Sequence, residues 1–320
     1  MLRLLSRLYG AVVARRNARY DARTRPIVTV TVPVVSVGNI SAGGTGKTPF
    51  VQMIVKKLQE QGKHPAVVLR GYRRSSKGLL VVHDGAGIVA SVEQAGDEAY
   101  LHATMLGVPV VVSEDKVEAA AIAAGTLPCD VIVVDDGFQH RALHRDVDIV
   151  LVDRATINGS LLPAGRLREP LTSLRRADVV VCMGNVSEED VLQYTNPDAI
   201  IVSCSIESSS PLALGARLIA IAGIAHPQRF FDGLQQAGYT VVDKIIFRDH
   251  HKYNQRDVNR MCLLAEQLNA SIVTTEKDFV KLKPLMFVNG STRIPTSVVS
   301  IQARLSSSDF DQLIVQRTRS

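Results

Sequence analysis

Cysteine is scarce and scattered. The four cysteines, Cys129, Cys182, Cys204 and Cys262, form no C-x-x-C pair, so neither a disulfide framework nor a structural zinc site is expected. They read as reduced, buried thiols of a cytoplasmic protein. Nowhere is there an apolar run of about 18 residues, so no transmembrane helix is expected. Arg7 and Gly10 interrupt the first apolar stretch, which denies it the unbroken core of about 7 to 15 residues that a signal peptide needs. Internal repeats and low-complexity segments are missing as well.

Acid is nearly absent from one place. Residues 1–25 hold Arg3, Arg7, Arg15, Arg16, Arg19, Arg23 and Arg25 against Asp21 alone, which accounts for the whole formal charge of +6. The rest of the chain is neutral, so the basic character is a local device and no nucleic acid partner is expected. In the same stretch Met1, Leu4, Leu5, Leu8 and Val12 recur at helical spacing. Such a basic amphipathic helix suits a membrane surface; an organelle transit peptide and a helix packed on the domain are the alternatives.

With 320 residues, 46% hydrophobic and 21% charged, the chain has the material for one large α/β domain or two ordinary ones. Apolar β-branched runs alternate with helical patterns: VPVVSV (32–37), FVQMIVKKLQEQG (50–62), AVVLRGY (66–72), PVVVS (109–113), DVIVVDD (130–136), DVDIVLVD (146–153) and ADVVVCM (177–183). This alternation predicts an α/β fold with a mostly parallel sheet covered by helices on both faces. From about residue 200 a second α/β set follows, either a smaller C-terminal lobe or an extension of the first sheet. Residues 186–212, rich in Ser, Asn and Asp, are the expected linker. The expected division is a helix over 1–25, a core over 26–190 and a smaller lobe over 191–320.

SAGGTGKTP (41–49) lies between a predicted strand and a predicted helix. Gly46, Lys47 and Thr48 match the end of G-x-x-x-x-G-K-[ST], with Ser41 where its first glycine would fall. Backbone amides over Ser41, Ala42, Gly43, Gly44, Thr45 and Gly46 would face phosphates, Lys47 would reach the β and γ oxygens, and the Thr48 hydroxyl would bind Mg²⁺. VIVVDDGFQH supplies the partner carboxylate that phosphate loops use, at Asp135 or Asp136. Guanine recognition by N-K-x-D is missing, and TTEKD (274–278) has the wrong spacing, so ATP is favoured. Partition-type ATPases carry an extra lysine where this chain has Ala42.

Other polar clusters are open to two readings. Asp97 and Glu98 in GDEAY (96–100) open a predicted helix, where its dipole stabilises anions. RDHHKY (248–253) sets His250 and His251 beside Asp249 in a loop. Both could be solvated surface; both also suit a kinase, which must take a proton from a hydroxyl. RGYRR (70–74) and LLPAGRLREP (161–170) provide arginines for an anionic substrate or for solvent.

Taken together, SVGNISAGGTGKTP, VVLRGYRR, QAGDEAYLHA, VVVSEDKVEAA, VIVVDDGFQHRALHRDVDIVLVD, LLPAGRLREPLTSLRRAD, FRDHHKY and TTEKDFVKL resemble the tetraacyldisaccharide 4′-kinases of lipid A biosynthesis, over roughly residues 36–282. Arg166 departs from the family's pattern, which more usually has proline there. The resemblance implies transfer of the ATP γ-phosphoryl group to the 4′-hydroxyl of an acylated glucosamine disaccharide 1-phosphate, giving lipid IVA. It implies Lys47 and Thr48 on phosphates and Mg²⁺, Asp97 as catalytic base, His250 as the residue that orients or tunes it, and Glu98 near the metal. Asp135 and Asp136 would assist the metal and the reacting centre, with Gln139 and His140 nearby. The implied setting is the cytoplasmic face of a Gram-negative inner membrane, reached through the N-terminal helix, without an obligate protein partner. The rival reading is a membrane-associated ATPase switch that makes no phosphorylated lipid.

Overall fold

The computed structural model describes residues 1–209, 212, 215–224, 227–286, 296–305 and 307–318. The first half runs α1 (Leu2–Asp21), β1 (Val34–Asn39), α2 (Lys47–Glu60), β2 (Pro65–Leu69), β3 (Leu80–His83), α3 (Val92–Ala95), α4 (Asp97–Leu106), β4 (Val110–Val112), α5 (Lys116–Thr126) and β5 (Val131–Asp135). It continues with β6 (Val147–Val152), α6 (Arg154–Ile157), β7 (Val179–Met183), α7 (Glu189–Leu192) and β8 (Ile200–Ser209). The remainder is β9 (Arg217–Ala222), α8 (Pro227–Gln236), β10 (Thr240–Ile246), α9 (Gln255–Leu268), β11 (Ser271–Thr275), α10 (Glu276–Met286), β12 (Thr296–Leu305) and α11 (Ser308–Arg317).

The twelve strands among the described residues form one sheet, in the order β10-β9-β11-β12-β8-β7-β6-β1-β5-β2-β4-β3. Pairing is parallel except at the β3–β4 edge and at β12–β8. The fold is therefore the mostly parallel α/β sheet that the alternating pattern predicts. The second strand set extends the first sheet, and the expected linker at 186–212 is corrected in part. Residues 200–209 of it are β8, parallel to β7, because IIVSCSI carries enough β-branched and apolar side chains to join a buried sheet.

Alternate side chains of the strands feed opposite faces. Val35 and Val37 of β1 meet Phe50, Val51, Ile54 and Leu58 of α2 on one face, while Val34 meets Ala119, Ala120 and Ala123 of α5 through the other core. In the second half, α8 brings Phe230, Phe231 and Leu234 to one side of β9 and α9 brings Val258 and Met261 to the other. Phe310 of α11 packs edge-on against Phe50 at 6.2 Å between ring centroids, joining the end of the chain to the loop-bearing helix α2.

Helix α1 docks through its polar side. Ser6 Oγ donates to the Leu161 carbonyl at 3.0 Å, Tyr9 Oη donates to the Arg168 carbonyl at 3.0 Å and Asn17 Nδ2 donates to Glu169 at 2.7 Å. Met1, Leu4, Leu5, Leu8 and Val12 stay exposed. The apolar stripe thus faces away from the domain. Among the described residues no helix is long and apolar enough to cross a membrane.

Candidate active site

Parallel pairing of β1 with β5 sets Val37 opposite Asp135, so the loop after β1 and the carboxylates after β5 emerge side by side at the carboxyl end of the sheet. That is where open α/β sheets bind ligands. Gly46 caps α2 with φ 88°, a left-handed conformation that suits glycine. Asn39 Nδ2 donates to Thr45 Oγ1 at 2.9 Å and the Ser41 hydroxyl bonds Thr156 Oγ1 at 2.9 Å, both buried. The Ala42 amide donates to the Arg166 carbonyl at 2.7 Å. This amide is committed to the chain; Gly43 and Gly44 of the same loop are exposed.

Lys47 Nζ lies 3.5 Å from Asp136 Oδ1, and Arg168 donates to Asp136 Oδ2 at 2.7 Å. Burial pushes the Asp136 carboxyl up, but the charges of Lys47, Arg168 and Lys116 outweigh it and hold the group at about 2. Asp136 has φ 54°, and the buried Lys116 donates to the carbonyls of both Asp135 and Asp136, fixing this left-handed turn. Asp135 sits 3.3 Å from Nε2 of the fully buried His102. Gln139 donates to the Asn39 carbonyl at 2.9 Å, and His140 lies 3.4 Å from Asp115.

Asp97 opens α4 because Gly96, at φ 84° and ψ 153°, turns the chain sharply; a Cβ there would meet the Tyr72 carbonyl at 2.9 Å. His250 Nδ1 lies 3.1 Å from Asp97 Oδ2, and Lys281 Nζ lies 3.2 Å from the same oxygen. His251 instead bonds Asp257 at 3.0 Å and stacks on Phe247, securing the start of α9. Of the two histidines, His250 is therefore the one that contacts Asp97. Burial raises the Asp97 carboxyl, yet the hydrogen bond with His250 and the charges of Lys281 and His250 carry it below the ordinary value.

Glu98 connects the two clusters. Burial first and then the Asp135 charge raise its carboxyl, with Lys277, His102 and Lys47 pulling the other way. Asp135 Oδ1 is buried without a hydrogen-bond partner, an orphaned acceptor of the kind a divalent cation would satisfy. The oxygen donors of Thr48, Glu98 and Asp135 suit Mg²⁺, which takes one or two carboxylates and completes its shell with phosphates and water. Among the described residues no three His, Cys, Asp or Glu side chains make a metal cage by themselves.

This geometry has relatives. Residues 1–319 match the family described as tetraacyldisaccharide-1-P 4′-kinase. The chain belongs to the tetraacyldisaccharide 4′-kinase family. It is 42% identical to the tetraacyldisaccharide 4′-kinase of Stenotrophomonas maltophilia, over 88% of this chain and 84% of that one. Against the protein of the same name from Syntrophus aciditrophicus it is 36% identical, over 99% and 92%. The solved LpxK of Aquifex aeolicus, in complex with ATP, superposes with a TM-score of 0.80 at 30% identity, covering 98% of both chains.

Family motifs point to the loop, the two aspartates and the Asp97–His250 pair. His102, Lys116, Lys277 and Lys281 lie inside the same motif stretches without a role assigned by them, and the structure sets all four around these groups. Lys277 Nζ comes within 3.4 Å of His250 Nε2, and Lys281 bridges Asp97 to the fully buried Asp278 at 3.1 Å. The signal available in sequence is the spacing of Lys277 and Lys281 by one helical turn in TTEKDFVKL, which puts both on one face of α10.

Proposed function

We propose that this protein transfers the γ-phosphoryl group of ATP to the 4′-hydroxyl of an acylated glucosamine disaccharide 1-phosphate, forming lipid IVA. The observation that carries the reading is the meeting of Asp97 with His250 and Lys281 beside a phosphate loop whose Lys47 acts on Glu98, the neighbour of Asp97. Family membership over nearly the whole chain supports the substrate class.

In this reading the loop amides of 43–46 and Lys47 hold the β and γ phosphates, and Lys47 leaves its ion pair with Asp136 to do so. Asp97, ionised at neutral pH, accepts the proton of the acceptor hydroxyl while that oxygen forms its bond to phosphorus and the bond to ADP breaks. His250 aims the carboxylate. Thr48, Glu98 and Asp135 would hold Mg²⁺, which when bound neutralises charge on the phosphates. Positioning and charge neutralisation are most of what phosphoryl transfer requires.

The tasks divide along the chain: residues 1–25 meet the membrane, 26–190 hold nucleotide and base, and 191–320 supply His250 and the α10 lysines. The exposed row Leu4, Leu5, Leu8 and Val12, flanked by Arg3, Arg7 and Arg15, supports peripheral attachment at the cytoplasmic face of the inner membrane, where a lipid acceptor is presented.

The test is incubation of the full chain with Mg-ATP labelled in the γ position and detergent-dispersed tetraacyl disaccharide 1-phosphate, with Lys47→Ala as control. Labelled lipid dependent on Lys47 is the expected result. Free phosphate as the sole labelled product would instead favour an ATPase switch.

A further inference from the structure

Every cation around Asp136 is already engaged: Lys47 and Arg168 with its carboxylate, Lys116 with backbone carbonyls. Arg166 is different. Among the described residues nothing accepts a hydrogen bond from its guanidinium or pairs with its charge. Its backbone is nonetheless tied to the phosphate loop: the Arg166 carbonyl accepts from the Ala42 amide, Leu167 bridges Ser41 antiparallel, and the Arg168 amide donates to the Ile40 carbonyl at 2.7 Å.

The side chain lies over that loop with its head inward. A Cβ built on Gly43 would fall 2.7 Å from Arg166 Nη2, 3.1 Å from Cζ and 3.6 Å from Nη1, so the charged fork, not the aliphatic stem, is what meets the glycine. Gly43 has φ 131°, a conformation that L side chains rarely adopt, and the missing side chain is what leaves room for the guanidinium. An exposed arginine held this close to backbone with no acceptor is placed for a ligand. Guanidinium matches phosphate oxygens in pairs, and an arginine at the transferring group offsets the charge spread over its oxygens.

We propose that Arg166 is a ligand of the terminal phosphate of ATP, an arginine delivered from within the chain across Gly43 to the group being transferred. The inference rests on the kinase reading and adds a residue to it. Arg166 reaches Gly43 from the segment that pairs with Ser41, while Lys47 reaches in from the start of α2, so the two cations would meet the γ-phosphoryl group from different parts of the chain. Gly43 is then a spacing requirement as much as a conformational one, since any side chain there displaces the arginine.

The experiment uses the full chain and its Arg166→Met and Arg166→Lys variants. Mg-ATP and Mg-ADP affinities are measured by calorimetry without lipid, followed by steady-state kinetics with the dispersed lipid. Loss of a charge-assisted contact to the γ oxygens should weaken ATP binding about tenfold or more in Arg166→Met. ADP affinity should stay within twofold, kcat should fall about 10² or more, and Arg166→Lys should recover part of both losses. Equal weakening of ATP and ADP would assign the side chain to loop packing and overturn the proposal. Unchanged nucleotide affinities with a raised KM for lipid would overturn it in favour of a phosphate on the acceptor. A wild-type protein that binds ATP but makes no phosphorylated lipid would sink the kinase reading while leaving the affinity comparison to decide Arg166.

Discussion

Nδ1 of His250 stands 3.1 Å from Oδ2 of Asp97, although 153 residues separate them in the chain. The contact lies at the carboxylate proposed to accept the proton, and its ionisation is set by its neighbours. Asp97→Ala should lower kcat by about 10² or more, as loss of a general base does. A variant within threefold of wild type would remove Asp97 from that role.

The same pair predicts a pH effect with a definite sign. Burial alone would raise the Asp97 carboxyl, and His250 and Lys281 together bring it below its ordinary value. Removing either neighbour removes a lowering influence, so the acid limb of kcat/KM should move to higher pH in both His250→Ala and Lys281→Met. Profiles that keep the wild-type acid limb would show that neither neighbour tunes the base.

Lys116 gives a stability prediction opposite to the usual one for a lysine with anionic neighbours. Burial is the largest influence and lowers its ammonium to about 8, against the raising charges of Asp136 and Asp135. The folded state therefore gives up this proton before the unfolded chain does, and stability from this group rises between about pH 8 and the ordinary 10.5. In urea unfolding, the wild type should gain on Lys116→Met as pH goes from 7.5 to 9.5. A loss over that range would mean that the carbonyls and carboxylates outweigh burial.

What could be read from the amino-acid string divides by the range of the forces involved. SAGGTGKTP and VIVVDDGFQH announce themselves because loop and aspartates are each local, and parallel pairing of two apolar strands brings them together almost automatically. The Asp97 and His250 pairing followed from family motifs alone; nothing in the spacing of GDEAY and RDHHKY says that they touch. Lys116, His102 and Lys281 act through sheet order and helix docking, and their side chains look like ordinary surface charge in sequence. The antiparallel β12–β8 seam was equally hidden, because apolar alternation has no direction.

Attachment to a bilayer is testable on the exposed face of α1. Leu4 and Leu8 are 62% and 58% exposed, so Leu4→Glu with Leu8→Glu should leave the melting temperature nearly unchanged. Sedimentation with anionic vesicles should fall, and wild-type binding should weaken with salt because arginines share the work. Equal sedimentation of variant and wild type would remove the leucines from membrane contact.

Glu169 is a buried fastener. Its carboxylate is fully enclosed, 2.9 Å from Arg176, 3.4 Å from Arg16 and 2.7 Å from Asn17. Glu169→Ala leaves buried charge uncompensated and should cost about 3 to 5 kcal/mol in unfolding free energy. Limited trypsin digestion should then cut faster at Arg15, Arg16 and Arg19. Unaltered cleavage would show that Ser6, Tyr9 and the contacts of Arg141 with Asn17 and Asp21 hold the helix without it.

Among the described strands β12 is the last in chain order, yet it lies between β11 and β8 and hydrogen-bonds to both. A nascent chain that has reached residue 286 already contains the phosphate loop, both aspartates, Asp97 and His250, but its trio β10-β9-β11 has no ladder to the rest of the sheet. The ladder that ties the strands around His250 to those around Asp97 is thus closed by a strand that follows both in the chain, and before it is added the packing of α10 on α4 is the contact left to hold the two parts together.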